Sequence, residues 1–204
     1  MSKIKSILLN ESYISDELID QIQEDCKYYF DRNGRPLHSY PVYRGIYPPI
    51  KTIETKKPRK DRTPIDTPKE IHKKLDELFK KEFGWKARSE GVFVTGSRSQ
   101  AGMYGDPHIV LPIGKFKYVW SPSIPDLTVY LERDVHVLMR IHGKEEIIME
   151  PEEYNKILKN TVNKYKSTDF ENAILSRNEI IIKCDRYYLI NENFLDIKYR
   201  DLFW

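Results

Sequence analysis

Three polar features stand at the edges of apolar runs, and they are the parts of this chain best suited to act on a ligand. Arg44 lies within Tyr40-Pro41-Val42-Tyr43-Arg44-Gly45-Ile46-Tyr47, among aromatic and β-branched neighbours. A guanidinium buried alone is costly, so Arg44 either meets an anionic partner or carries its head to water along an apolar stem. Thr95 and Ser97 flank a glycine in Thr95-Gly96-Ser97-Arg98-Ser99. This turn joins the apolar run Val92-Phe93-Val94 to a helix start, with Ser97 as N-cap and Gln100 three residues on, in the manner of a capping box. Gly96 can take positive φ, which lets backbone pass close to a ligand. A strand, a hydroxyl-rich turn and a helix start together hold a polar ligand well, although such turns also serve as plain connections. Glu179 opens the run Ile180-Ile181-Ile182. It reads either as a site carboxylate or as an exposed strand-start side chain. A fourth feature is charge density: residues 56–62 hold five cations in seven positions. That pattern suits a solvated loop, or a contact for phosphate or an acidic partner.

Elements to carry these residues follow from the periodicity. Ser15 with Asp16 and Glu17 starts a helix, and Leu18, Ile22, Cys26, Tyr29 and Phe30 form its apolar face. Asn33-Gly34 ends it. Residues 40–47 form a strand, and the proline- and lysine-rich stretch 48–64 a loop. Thr67 is expected as N-cap of the next helix, with Pro68 at its first position and Glu70 completing a capping box. Ile71, Leu75, Leu78, Phe79 and Phe83 line its buried face, and Gly84 stops it. Residues 92–94 form a strand, 101–104 a short helix, and 108–112 and 115–120 further strands. Residues 129–131, 135–141 and 146–149 add strand candidates. Pro151 opens a last helix with Tyr154, Ile157, Leu158, Val162 and Tyr165 on one face. Residues 167–177 read as a polar loop. Residues 178–184 form a strong strand, expected to pair with 187–190. Helices early and strands late describe an α+β fold rather than alternating βαβ units.

Composition narrows the class. At 204 residues and 24.3 kDa one domain spanning 1–204 is expected, with a helical part at about 1–40, a core at about 40–190 and an apolar tail packed down behind it. A net charge of +3 does not by itself call for a nucleic-acid partner. No apolar run approaches the ~20 residues of a membrane span, so the expectation is a cytoplasmic chain without a membrane partner. Cys26 and Cys184 lack metal-ligand spacing and are expected as unpaired core residues. There is no GxGxxG, P-loop or HExxH, and the five histidines form no ligand cluster, so no metal is expected.

The order Tyr43-Arg44-Gly45, then Phe93-Val94-Thr95-Gly96-Ser97, then Glu179 resembles the mono-ADP-ribosyltransferases of the Arg–Ser–Glu type. That group includes cholera-like and clostridial toxins and bacteriophage enzymes, and residues 93–126 look most like the phage-encoded members. The resemblance covers about residues 40–190, and its motifs are short. It implies a split, mostly antiparallel β core with peripheral helices. It implies a phage or bacterial effector that uses NAD as substrate, moving ADP-ribose to a macromolecular acceptor, protein or nucleic acid, with nicotinamide released. The same scaffold also fits an NAD glycohydrolase or a non-catalytic binding protein. By the resemblance, Glu179 holds the ribose 2′-hydroxyl and stabilises the oxocarbenium-like transition state. Arg44 binds the NAD phosphates. The Gly45 backbone holds the nicotinamide amide, Thr95 orients Glu179, and Ser97 takes the third motif position. Tyr104 stacks on nicotinamide. Residues 167–175, with Asp169, Phe170 and Glu171, face the acceptor. Two departures stand out. Thr95-Gly96 replaces Ser-Thr, which leaves Thr95 and Ser97 both open for the hydroxyl role. Arg177 stands where arginine-modifying relatives carry an acid, which argues against an arginine acceptor.

Overall fold

The computed structural model describes residues 15–32, 41–60, 67–141 and 144–191. Helices α1 (Asp16–Asp25) and α2 (Lys27–Arg32) come first, followed by strands β1 (Tyr43–Ile46) and β2 (Ile53–Lys56). Helices α3 (Lys69–Phe83) and α4 (Ala87–Glu90) lead into β3 (Val92–Thr95), α5 (Arg98–Gly102), β4 (Asp106–Ile113) and β5 (Lys117–Trp120). Helix α6 (Leu127–Val129) runs into a π-helical turn (Tyr130–Asp134), and a hairpin of β6 (Leu138–Ile141) and β7 (Lys144–Ile147) follows. Helices α7 (Pro151–Val162) and α8 (Phe170–Leu175) precede β8 (Glu179–Lys183) and β9 (Arg186–Ile190). Every strand pairing among the described residues is antiparallel, so the fold is α+β.

The main sheet has the order β2-β9-β4-β1-β3-β8-β5. Strands β8 and β9 are joined by only Cys184 and Asp185, yet β4, β1 and β3 lie between them. Four strand spacings in a flat sheet are about 19 Å. Three Cα steps, from Lys183 to Arg186, reach at most about 11 Å. The sheet therefore curls, bringing the β9 half round towards the β8 half. The weak joint is β1–β3, where Tyr43↔Thr95 is the single register pair, whereas β1 pairs with β4 along its whole length.

Two cores flank this sheet. Ile180 and Ile182 pack with Tyr118, Trp120, α1 and α8, while Ile181 and Val119 pack with α3, α4, α6 and α7. Burial on both faces explains why β8 reads as an unbroken apolar run. The caps at Ser15 and Ser97 form as the sequence implies, with Ser15 Oγ accepting from Leu18 N and Ser97 Oγ from Gln100 N. Gly84 ends α3 at φ 81°. Cys26 and Cys184 are buried free thiols.

Several elements differ from expectation. Thr67 does not cap α3; Pro68 takes that position, and Thr67 Oγ1 accepts from Arg88 Nη2 at 3.5 Å. Glu70 accepts instead from the Tyr154 hydroxyl of α7. Residues 53–56 form an edge strand rather than loop, because β9 supplies a partner that local composition does not show. Residues 129–131 are helical: Asp126 caps α6, and the buried Leu127 and Leu131 follow a helical spacing. Residues 170–175 are helical because Phe170, Ala173 and Ile174 share a buried face. Strand β9 pairs with β2 and β4, not with β8. The helix stop at Asn33-Gly34, residues 61–62 of the basic run and the tail 194–204 lie outside the described residues. No helix among the described residues is long and apolar enough to cross a membrane.

Candidate active site

The joint between the two halves of the sheet collects the polar residues. Tyr43↔Thr95 and Thr95↔Glu179 are register pairs on neighbouring strands, so Thr95 and Glu179 face the same side. Strand alternation gives that side to Phe93 and Ile181 as well, towards α3 and α4. Arg44 alternates to the other side at the point where β1 parts from β3. Its Nη1 donates to the Phe93 carbonyl at 3.3 Å, spanning the gap where the ladder stops. Burial lowers the Arg44 guanidinium from its ordinary value, and nearby Tyr187 opposes that shift. An arginine remains charged at neutral pH in any case.

Thr95 is buried and fully engaged. Its Oγ1 lies 2.7 Å from the Arg177 carbonyl and 3.1 Å from Gln100 Oε1, and it accepts from Ser97 N. One hydroxyl hydrogen serves the shorter contact best, so Thr95 ties β3 to the residue two before Glu179. Ser97 Oγ is taken up capping α5 and meeting Ser99 Oγ at 3.0 Å. Of the two hydroxyls, Thr95 is the one opposite Glu179. Arg177 is exposed at φ 61°, the left-handed position just past α8.

Both site glycines are needed for packing. A Cβ on Gly96 would sit 2.0 Å from the Ile174 carbonyl, and Gly96 does not use the positive φ open to it. A Cβ on Gly45 would sit 2.3 Å from the Ala101 carbonyl. The room expected for a ligand beside Gly45 is thus filled by the turn after α5, which brings Tyr104 alongside. The Tyr104 hydroxyl donates to Asp126 Oδ2 at 3.0 Å, leaving its ring largely exposed. Asp126 is drawn here because Glu179 N donates to the Pro125 carbonyl at 2.8 Å.

Phe170 does not face an acceptor. It is 4 % exposed, with its ring centroid 4.6 Å from Tyr118 and 5.3 Å from Phe116. An aromatic ring closing the core beneath α8 is the physical reason. Asp169 and Glu171 lie nearer the surface, and Asn172 and Lys166 hold the Asp169 carboxyl below its usual range.

Sequence reasoning assigned no role to the residues behind Glu179. Arg88, on α4, is 6 % exposed, with Nη1 3.8 Å from Glu179 Oε1 and its guanidinium 4.9 Å from the Phe93 ring centroid. Tyr165, after α7, is equally buried, and its hydroxyl has no hydrogen-bond partner among the described residues. Burial and the neighbouring Glu179 hold the Tyr165 phenol well above its usual value, with Arg88 opposing. One signal was available, for Tyr165 alone: it puts a hydroxyl on the apolar face that runs on from α7. A surface cavity of about 540 Å³ includes Lys51, Arg98, Asp106 and His108, but none of Arg44, Thr95 and Glu179. Among the described residues no group of His, Cys, Asp and Glu side chains is placed to hold a metal. No family model, curated protein or solved structure matches this chain.

Proposed function

We propose that the chain is a mono-ADP-ribosyltransferase that cleaves NAD and passes ADP-ribose to a protein or nucleic acid, in the manner of phage and bacterial effectors. The observation that carries this reading is the register Tyr43↔Thr95↔Glu179 across three adjacent strands, with Arg44 bridging the parted strands at the same joint. Residues about 50 and 135 positions apart thereby stand on neighbouring strands, Thr95 and Glu179 on one face of the sheet and Arg44 alternating to the other. Breaking the nicotinamide–ribose bond develops positive charge on the ribose. A fixed carboxylate there favours the transition state over the ground state. Glu179 supplies that carboxylate, 15 % exposed and backed by a cation. Arg44 supplies a charge for the NAD phosphates, and the exposed Tyr104 ring supplies a face for nicotinamide.

The test is incubation with NAD labelled in the adenylate and a whole-cell lysate, followed by separate protease and nuclease digestion. Label made small by protease alone identifies a protein acceptor, and by nuclease alone a nucleic acid. Free ADP-ribose without macromolecular label would make the enzyme a glycohydrolase. No NAD consumed in any lysate would overturn the reading.

A further inference from the structure

Glu179 is useful as a cation stabiliser only if it stays ionised and aimed while buried among apolar side chains. Taking a carboxylate out of water favours its protonated form, and an adjacent opposite charge reverses that preference. The structure contains such a charge. Arg88 reaches Glu179 Oε1 from α4, and its own head is held by Thr67 Oγ1 at 3.5 Å and by the Phe93 ring. Its backbone is held too: Arg88 N donates to Asp76 Oδ1 at 2.9 Å, and so does Ser89 N at 3.2 Å, so an α3 carboxylate caps α4. Glu179 Oε1 is fully enclosed, so the remaining exposure of the side chain lies elsewhere on it. Tyr165 stands in the same enclosure with a hydroxyl available for donation. Arg88 from α4 faces the carboxylate directly, and Tyr165, from the segment after α7, lies within the field of Glu179, of Arg88 and of Asp126 from the loop before α6.

We propose that Arg88 and Tyr165 are positioning residues for Glu179: Arg88 faces its inner oxygen at 3.8 Å and keeps the carboxylate ionised, and Tyr165 walls the enclosure in which that oxygen sits. Arg88 acts chiefly by charge and Tyr165 by geometry. Neither touches NAD. The kinetic consequence rests on the transferase reading, but the electrostatic one does not.

The experiment therefore has two arms on the full chain. In the first, protein labelled with carboxyl-¹³C glutamate is titrated by NMR, with Glu179→Gln identifying the Glu179 resonance. Arg88→Met is expected to move the Glu179 titration upward by about 1 pH or more, and Arg88→Lys to bring it back towards wild type. Tyr165→Phe moves it less. In the second arm, kcat and KM for NAD are measured against pH. Arg88→Met is expected to lower kcat by about 10²-fold, with the acidic limb of the profile displaced upward and KM little changed. Arg88→Lys restores the limb but only part of kcat, because an ammonium lacks the planar fork that reaches Thr67 and Glu179 together. If Arg88→Met does not fold, Arg88→Gln, which keeps a polar head but no charge, carries both arms with the same expected upward movement. An unmoved Glu179 titration in a folded variant that removes the Arg88 charge overturns the proposal, whatever the activity. A moved titration in a protein that never consumes NAD upholds the positioning and sinks the transferase reading instead. A lower kcat with an unshifted limb and an unmoved titration assigns Arg88 to packing alone and overturns it.

Discussion

Glu179→Gln tests the carboxylate and its setting together. From the sequence, an acid at a strand start looks replaceable without harm to the fold. The buried Arg88 changes that expectation. At 3.8 Å the pair's gross attraction is about 4 kcal/mol at an effective dielectric of ~20. Removing one member of a buried pair costs about 3–5 kcal/mol, because the other charge stays behind unpaired. Gln keeps the shape and still offers a carbonyl, and Arg88 keeps Thr67 and the Phe93 ring, so the lower end, about 3 kcal/mol, is expected. In a chain of this size each kcal/mol moves Tm by about 2–4 °C, so the fall is about 6–12 °C. Loss of a preorganised charge at the reacting centre costs a further 10²–10³ in rate, roughly, measured well below the lowered Tm. Scanning calorimetry reads the first effect and single-turnover NAD cleavage the second. The double variant Arg88→Met/Glu179→Gln removes both charges and is expected to be no less stable than Glu179→Gln alone. A Tm within about 2 °C of wild type would show that the pair contributes nothing to the fold. Retention of more than about a tenth of the rate would remove Glu179 from the chemistry.

Three further outcomes are expected. Arg44→Ala weakens NAD by about 10- to 100-fold in calorimetry, since a charge-assisted bond is worth about 1.5–3 kcal/mol; unchanged affinity in a folded variant confines Arg44 to bridging β1 and β3. Burial pushes Cys184 up to about 12 and raises Cys26, Tyr29, Tyr187 and Tyr188 as well. The unfolded chain releases those protons first, from about pH 8.5 for thiols and ~10 for phenols, so stability is full below about pH 8 and falls as pH rises towards 12; a urea midpoint that holds level from pH 7.5 to 10 contradicts this. Exposed Arg177, two residues before Glu179, disfavours a cationic acceptor, so agmatine is a poor substrate and macromolecular transfer weakens with salt; brisk agmatine modification, or transfer indifferent to ionic strength, counts against it.

Helices α1, α3 and α7 were legible because each announces itself locally, by a cap, a 3.6-residue apolar stripe or a stopping glycine. What was not legible depends on partners distant in the chain. Residues 53–56 look like loop until β9 lies beside them, and residues 170–175 look polar until the aromatic cluster of Tyr118, Phe116 and Tyr29 receives Phe170. The pairing of β8 with β9 was the natural expectation for two strong strands separated by a two-residue turn. It fails because β8 is buried on both faces, by α1 and α8 on one and by α3 and α7 on the other, and its two edges are already taken by β3 and β5.

The site shows the same division more sharply. Arg44, Thr95 and Glu179 were visible as polar side chains on apolar strands, and the fold draws them to one joint. Arg88 was invisible because its meaning is wholly tertiary. Nothing near it in sequence says that a cation on a four-residue helix ends behind a carboxylate some ninety positions later. In the positioning proposed above, Arg88 is the charge that offsets the burial of Glu179. Ile181, the next residue on the same face of β8, is fully buried, and an isolated carboxylate beside it would protonate. The ion pair by itself would serve a structural carboxylate equally well. The proposed function sets that pair one strand away from the joint where Arg44 bridges β1 and β3, with the exposed Tyr104 ring tethered to Asp126 on the loop whose Pro125 carbonyl accepts from Glu179 N. On the proposed function, stability and catalysis separate in experiment. Removing both charges of the pair is expected to leave the first no worse than Glu179→Gln alone does, with the second still lost.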